Sequence, residues 1–254
     1  MAEYYDFDTN VNDNISFKKP KERKESFIET KTGLAKVFLL MFLGLLVTAI
    51  IATGLPYILV AMGFSPTGTI VTYLGLLIAS MVALLVLTFV ARFVCIKKEK
   101  GGTLVFILYS VAMGVLMSTF VISYDIALIG YAFLCAAGSF GIMALYGIIS
   151  KGSMKVMGYI GFGLLGATLL MGLLYLILSL FGIYYDAIYW LICIFGIVAM
   201  LAFTAFDVNN AKRAAESESL TNNLAAYFAL QLYTDFIYLF IRILALLSRF
   251  TKRN

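Results

Sequence analysis

The chain contains no histidine. That absence removes the usual zinc and iron ligand sets, and with them the side chain that ordinarily titrates near neutral pH. Charge is scarce: 13% of the 254 residues are Asp, Glu, Lys or Arg, where a soluble domain carries about a quarter. Cysteine and proline occur three times each. Cys95, Cys135 and Cys193 lie in apolar stretches without C-x-x-C spacing, so they read as small buried hydrophobes. No P-loop, no G-x-S-x-G and no metal-ligand spacing is present, so the sequence is not read as an enzyme and calls for no cofactor. The net charge of +5 does not form an aromatic-interleaved basic patch. Its basic residues sit at segment ends, a pattern of topology and not of nucleic-acid binding.

Apolar residues are abundant instead. They make up 62% of the chain, and the mean hydropathy is +0.97. This is the composition of a polytopic membrane protein. Seven apolar segments follow one another, approximately Leu34 to Met62, Thr69 to Ile96, Leu104 to Ile122, Ile126 to Ile149, Val156 to Phe181, Ala187 to Phe206 and Leu224 to Leu247. Most reach the span of about 20 residues that a bilayer requires. Lipid admits only helices and closed barrels, and these runs lack two-residue alternation, so the expected fold is all-α. Residues 33–250 are expected to form one transmembrane domain. Residues 1–32 are polar, acidic and aromatic first, then basic through Lys18, Lys19, Lys21, Arg23 and Lys24. They are expected to form a disordered cytoplasmic tail, with no apolar core of the signal-peptide type.

The connections alternate in charge. Lys97, Lys98 and Lys100 follow the second segment, Lys151 and Lys155 bracket the fourth turn, and Lys212 and Arg213 follow the sixth segment. The intervening turns have no Lys or Arg. The positive-inside rule then places the N-terminus in the cytoplasm. Arg249, Lys252 and Arg253 disagree with the rule if the last segment spans, and agree if it is re-entrant. Because earlier helices usually fix orientation, a spanning last segment is expected. The glycines crowding the fifth segment (Gly158, Gly161, Gly163, Gly166, Gly172) and those at Gly138 and Gly141 read as close packing inside one bundle. A monomer is therefore favoured.

Of fourteen acidic residues, only Asp207 and Asp235 fall within apolar segments. They flank a polar hinge, Glu216 to Asn223. With helices on both sides, Asp207 lies roughly 13 Å before the hinge and Asp235 roughly 18 Å after it. An antiparallel pair would bring them to similar depth. Carboxylates at membrane depth are functional candidates by default. Two that meet cannot both ionise cheaply, so one keeps a proton. Such a pair can sense pH, hold a cation such as Ca²⁺, or do general acid–base chemistry. The cations within reach are Arg92, late in the second segment, and Arg242, two turns beyond Asp235. Arg92 can instead snorkel to the nearby interface. If it does pair with Asp207, it favours the ionised carboxylate.

Three stretches carry a family resemblance. F-T-A-F-D-V-N-N-A-K at Phe203 to Lys212 resembles the "TAYDTQ-IK" stretch of the Bax inhibitor-1 family. L-Y-T-D-F-I-Y-L-F-I-R-I-L at Leu232 to Leu244 is similar to that family's terminal "LYLDFINLFL-LLR". G-S-F-G-I-M-A-L-Y-G at Gly138 to Gly147 resembles its "ATFGALSLYG". The resemblance covers roughly Gly33 to Phe250 and points to a bacterial-type member in the plasma membrane. It implies a seven-helix bundle with the last helix central. It also implies a calcium-permeable leak controlled by protonation of an aspartate pair, to which Asp207 and Asp235 correspond. An arginine from the second helix is implied as partner of the first aspartate, and Arg92 is the candidate. Phe206 and Tyr238 depart from the family's tyrosine and asparagine near the pair. The alternative reading is a non-conducting regulator that binds a membrane protease or another membrane partner, a role that some bacterial relatives resemble. An intramembrane aspartyl protease is disfavoured, because no G-x-G-D is present.

Overall fold

The computed structural model describes residues 20–62, 66–97, 101–183, 185–217 and 220–253, with side chains for 32–62, 68–94, 101–183, 185–217 and 220–251. Among the described residues there are seven helices and no strand. They are α1 (Pro20–Ala61), α2 (Pro66–Lys97), α3 (Gly102–Ser123), α4 (Ile126–Ile149), α5 (Lys155–Leu180), α6 (Asp186–Glu216) and α7 (Asn222–Arg253). All seven are long and apolar enough to cross a membrane. The all-α, seven-span reading holds. α1 starts at Pro20, within the stretch expected as a tail, and residues 1–19 lie outside the described residues. α1 runs on through Pro56.

The turns follow from local chemistry. Gly101 precedes α3 at φ +111°, a backbone that L side chains rarely adopt. Asp125 caps α4, its side chain accepting from the Ala127 amide at 3.3 Å.

α7 is the central helix. It packs against α1, α2, α3, α4 and α6, and its buried face includes Leu232, Tyr233, Phe236, Leu239 and Leu244. α6 lies beside it and also touches α1, α4 and α5. By contrast α2, α4 and α5 turn most of their length outward, as lipid-facing helices do. Tyr233 ties the centre together. Its hydroxyl meets Thr48 Oγ1 of α1 at 2.5 Å, and Thr48 in turn donates to the Ser110 carbonyl of α3 at 3.0 Å. With the threonine proton so used, Tyr233 is the donor to Thr48.

One end of the bundle carries the lysines and is clamped by amides. Asn209 of α6 accepts from the Met154 amide at 3.4 Å and donates to the Gly147 carbonyl at 3.2 Å, holding the corner between α4 and α5. Lys212 donates to the Ser150 carbonyl of the same corner at 3.1 Å. Asn223 of α7 accepts from the Gly102 amide at 3.1 Å, and Lys36 of α1 donates to Asn222. This is the basic end. α7 runs unbroken from there to the far end, long and apolar enough to cross a membrane. The glycine expectation is met in part. Gly158 and Gly161 of α5 face the rings of Phe206 and Phe203 on α6, and Gly147 faces the Ala205 carbonyl. Gly138, Gly141, Gly163, Gly166 and Gly172 meet nothing within 4 Å.

Candidate functional site

α6 and α7 lie side by side at the depth of Asp207 and Asp235, because the turn between them is short and both helices are anchored at the basic end. Helical rotation does the rest. Thr204, Asp207 and Val208 point inward on α6, as do Leu232, Asp235 and Phe236 on α7. The two carboxyl groups meet within hydrogen-bonding reach, 6% and 8% exposed. Oδ2 of Asp235 is buried, and no donor of the described residues reaches it. A buried acceptor without a donor is costly. A proton shared by the two acids would remove that cost.

The pair borders a cavity of about 490 Å³. α7 contributes a polar stripe to its wall at helical spacing: Tyr227, Gln231, Thr234, Asp235, Tyr238 and Arg242. Thr88 and Arg92 of α2 and Thr168 of α5 stand opposite. The Tyr109 hydroxyl of α3 lies beside Thr88 and Thr234. Thr88, Tyr109 and Tyr238 also border a second cavity of about 490 Å³, which runs under α2 past Met81 and Met117. Tyr238, where the family resemblance implies an asparagine, therefore stands in the wall between two cavities.

The four residues singled out in the sequence all reach this cavity. Asp207 and Asp235 meet. Arg92 and Arg242 line the wall, but among the described residues neither forms an ion pair with either aspartate. Arg92 is exposed at the mouth, and Asp207 turns toward Asp235 rather than toward it. No group of three or more His, Cys, Asp or Glu converges among the described residues. The pair alone offers a cation two carboxyl groups, fewer than the six to eight oxygens that Ca²⁺ prefers, so water would have to complete any shell. Asn209 and Asn223 were not singled out from the sequence. Their signal was an amide beside an apolar run, which a hydropathy reading passes over.

A seven-helix membrane bundle built around a buried acid pair on its last two helices defines the class. The comparisons agree. The family model described as "Inhibitor of apoptosis-promoting Bax1" matches residues 30–252, and the chain belongs to the Bax inhibitor-1 family. It is 32% identical over 233 residues to the inner membrane protein YbhL of Escherichia coli strain K12, covering 87% of this chain and 95% of that one. An uncharacterized protein of Borreliella burgdorferi is 30% identical over 247 residues, covering 92% and 97% of the two chains.

Proposed function

We propose that this protein is a pH-sensitive calcium leak of the bacterial plasma membrane, its N-terminus cytoplasmic, closed by a proton that Asp207 and Asp235 share. The observation that carries the reading is the meeting of the two carboxyl groups at the wall of a polar cavity, with Oδ2 of Asp235 lacking any other donor. At low pH the shared proton joins α6 to α7. As pH rises and the proton leaves, two negative charges stand side by side, and repulsion and desolvation both oppose that state. The helices relieve it by parting, by drawing in the Arg92 guanidinium from the mouth, or by admitting a cation. Calcium suits the last route, since carboxylate oxygens are its preferred ligands. The E. coli relative's description as an inner membrane protein supports the location. The test is calcium flux into proteoliposomes of the pure protein at several pH values, wild type against Asp207→Asn. The reading requires wild-type flux that depends on pH and a profile that flattens in the variant. A pure protein that conducts nothing overturns it.

A further inference from the structure

Arg242 has no part in the reading above. It stands two turns beyond Asp235 on α7, lines the same cavity, and lies about 14 Å inside the far end of the helix, counted from Thr251 at 1.5 Å per residue. An uncompensated guanidinium at that depth is expensive. Its seat is closely built: a Cβ at Gly196 of α6 would stand 3.0 Å from Arg242 Nε, so the side chain rests on bare backbone. Yet among the described residues Arg242 forms no ion pair and donates no hydrogen bond.

The charges around the cavity do not balance. Its charged side chains are Arg92, Arg242 and the aspartate pair. With one proton on the pair, the two arginines leave the cavity one positive charge in excess. A positive charge on the wall of a largely apolar cavity attracts an anion. Neutral donors stand nearby in Gln231, Thr234 and Tyr238. Access from lipid is also built in. α2 packs on α3 and α7, α5 packs on α6, and the cavity lies between them with the half-buried Leu165 and exposed Leu169 of α5 at its edge. A hydrocarbon chain fits such an edge, and a charged head fits the wall behind it.

We infer that this part of the cavity is a carboxylate site, with the Arg242 guanidinium as its principal ligand. The planar fork of arginine matches a carboxylate in two parallel hydrogen bonds. The carboxylate belongs to a fatty acid entering between α2 and α5, or to a small acid from water; the chemistry at Arg242 is the same. The inference does not require ions to cross.

Two probes with one head group separate the sources. The thermal midpoint of the protein in phosphatidylcholine nanodiscs is measured against added laurate and added acetate, for wild type and Arg242→Gln. Laurate is expected to raise the wild-type midpoint saturably, and Arg242→Gln to weaken its apparent affinity roughly tenfold or more, the size of one lost charge-assisted pair. An effect of laurate without acetate assigns the occupant to the bilayer, and equal effects assign it to water. If Arg242→Gln fails to fold, Arg242→Lys gives a second comparison, because it keeps the charge and removes the planar fork that pairs with a carboxylate. No saturable shift in wild type, or the same shift in the variants, overturns the site.

Discussion

Arg249 of α7 reaches Asp186 at the start of α6, Nη1 to Oδ1 at 2.6 Å, and lies 3.6 Å over the ring of Tyr189. The contact puts the end of the last helix beside the beginning of the sixth, at the end of the bundle away from the lysines. It also gives one of the three terminal basic residues a local partner where the positive-inside rule disfavours them. In the proposed orientation, with the basic end in the cytoplasm, Thr251 lies outside. A Thr251→Cys variant on a cysteine-free background should react with an impermeant thiol reagent applied externally. Reaction from the cytoplasmic side alone would invert this orientation.

Asp207→Asn and Asp235→Asn should each flatten the pH dependence of calcium flux between about pH 6 and pH 8, where a coupled acid pair can exchange its shared proton. In the proposed function the shared proton closes the pair, so flux rises with pH in wild type. The double variant should add little to either single one, since the two side chains act as a unit. Wild-type pH profiles in both single variants would leave the aspartates with a structural role only.

Arg92 faces the cavity from its mouth without touching Asp207. We expect it to matter after the proton leaves, when a nearby cation favours the charged pair. Arg92→Ala should then move the midpoint of the flux profile to higher pH, because the proton is held longer without the arginine. An unchanged midpoint would make Arg92 an interfacial anchor, its stem along the bundle and its head in water.

Gly147 tests the packing of α4 on α6. A Cβ there would stand 2.6 Å from the Ala205 carbonyl, and backbone cannot swing away as a side chain can. Gly147→Ala should lower stability by about 1–3 kcal/mol, read as a drop in thermal midpoint. Gly166, whose Cβ would meet nothing within 4 Å, is the control. Gly166→Ala should be neutral or stabilising by up to about 1 kcal/mol, because alanine is the better helix former.

The helices were legible because lipid leaves the backbone little choice, and α4 lies where hydropathy placed it, Ile126 to Ile149. α6 was read short by ten residues. Asn209, Asn210, Lys212 and Arg213 end the apolar run but not the helix, because the α4–α5 corner supplies polar partners that hydropathy does not register. α1 was read short at its start for a related reason: its charged first turns are rich in Lys and Glu, which favour helix without being apolar. The acid pair stood out as the only carboxylates inside apolar segments. That the two face each other was not readable, because it depends on how α6 and α7 are rotated against their neighbours. The spacing of Asp235 and Arg242 did place both on one wall. The contact expected between Arg92 and Asp207 is not formed, since depth along a helix says nothing about which way a side chain turns.

The amide clamps have a mechanical consequence. Asn209, two residues from Asp207, is bonded to both sides of the α4–α5 corner, and Asn223 holds the start of α7 to the start of α3. Arg249 and Asp186 join the same two helices at their other ends. α6 and α7 are thus suspended at two points, like a beam fixed at both supports, and neither can slide along the other without breaking contacts at both ends. On either side of this frame lie α2, which borders both cavities, and α5, which packs against α6. If ions pass as proposed, widening the passage calls for bowing at mid-span, while the frame that carries the two acids keeps its length.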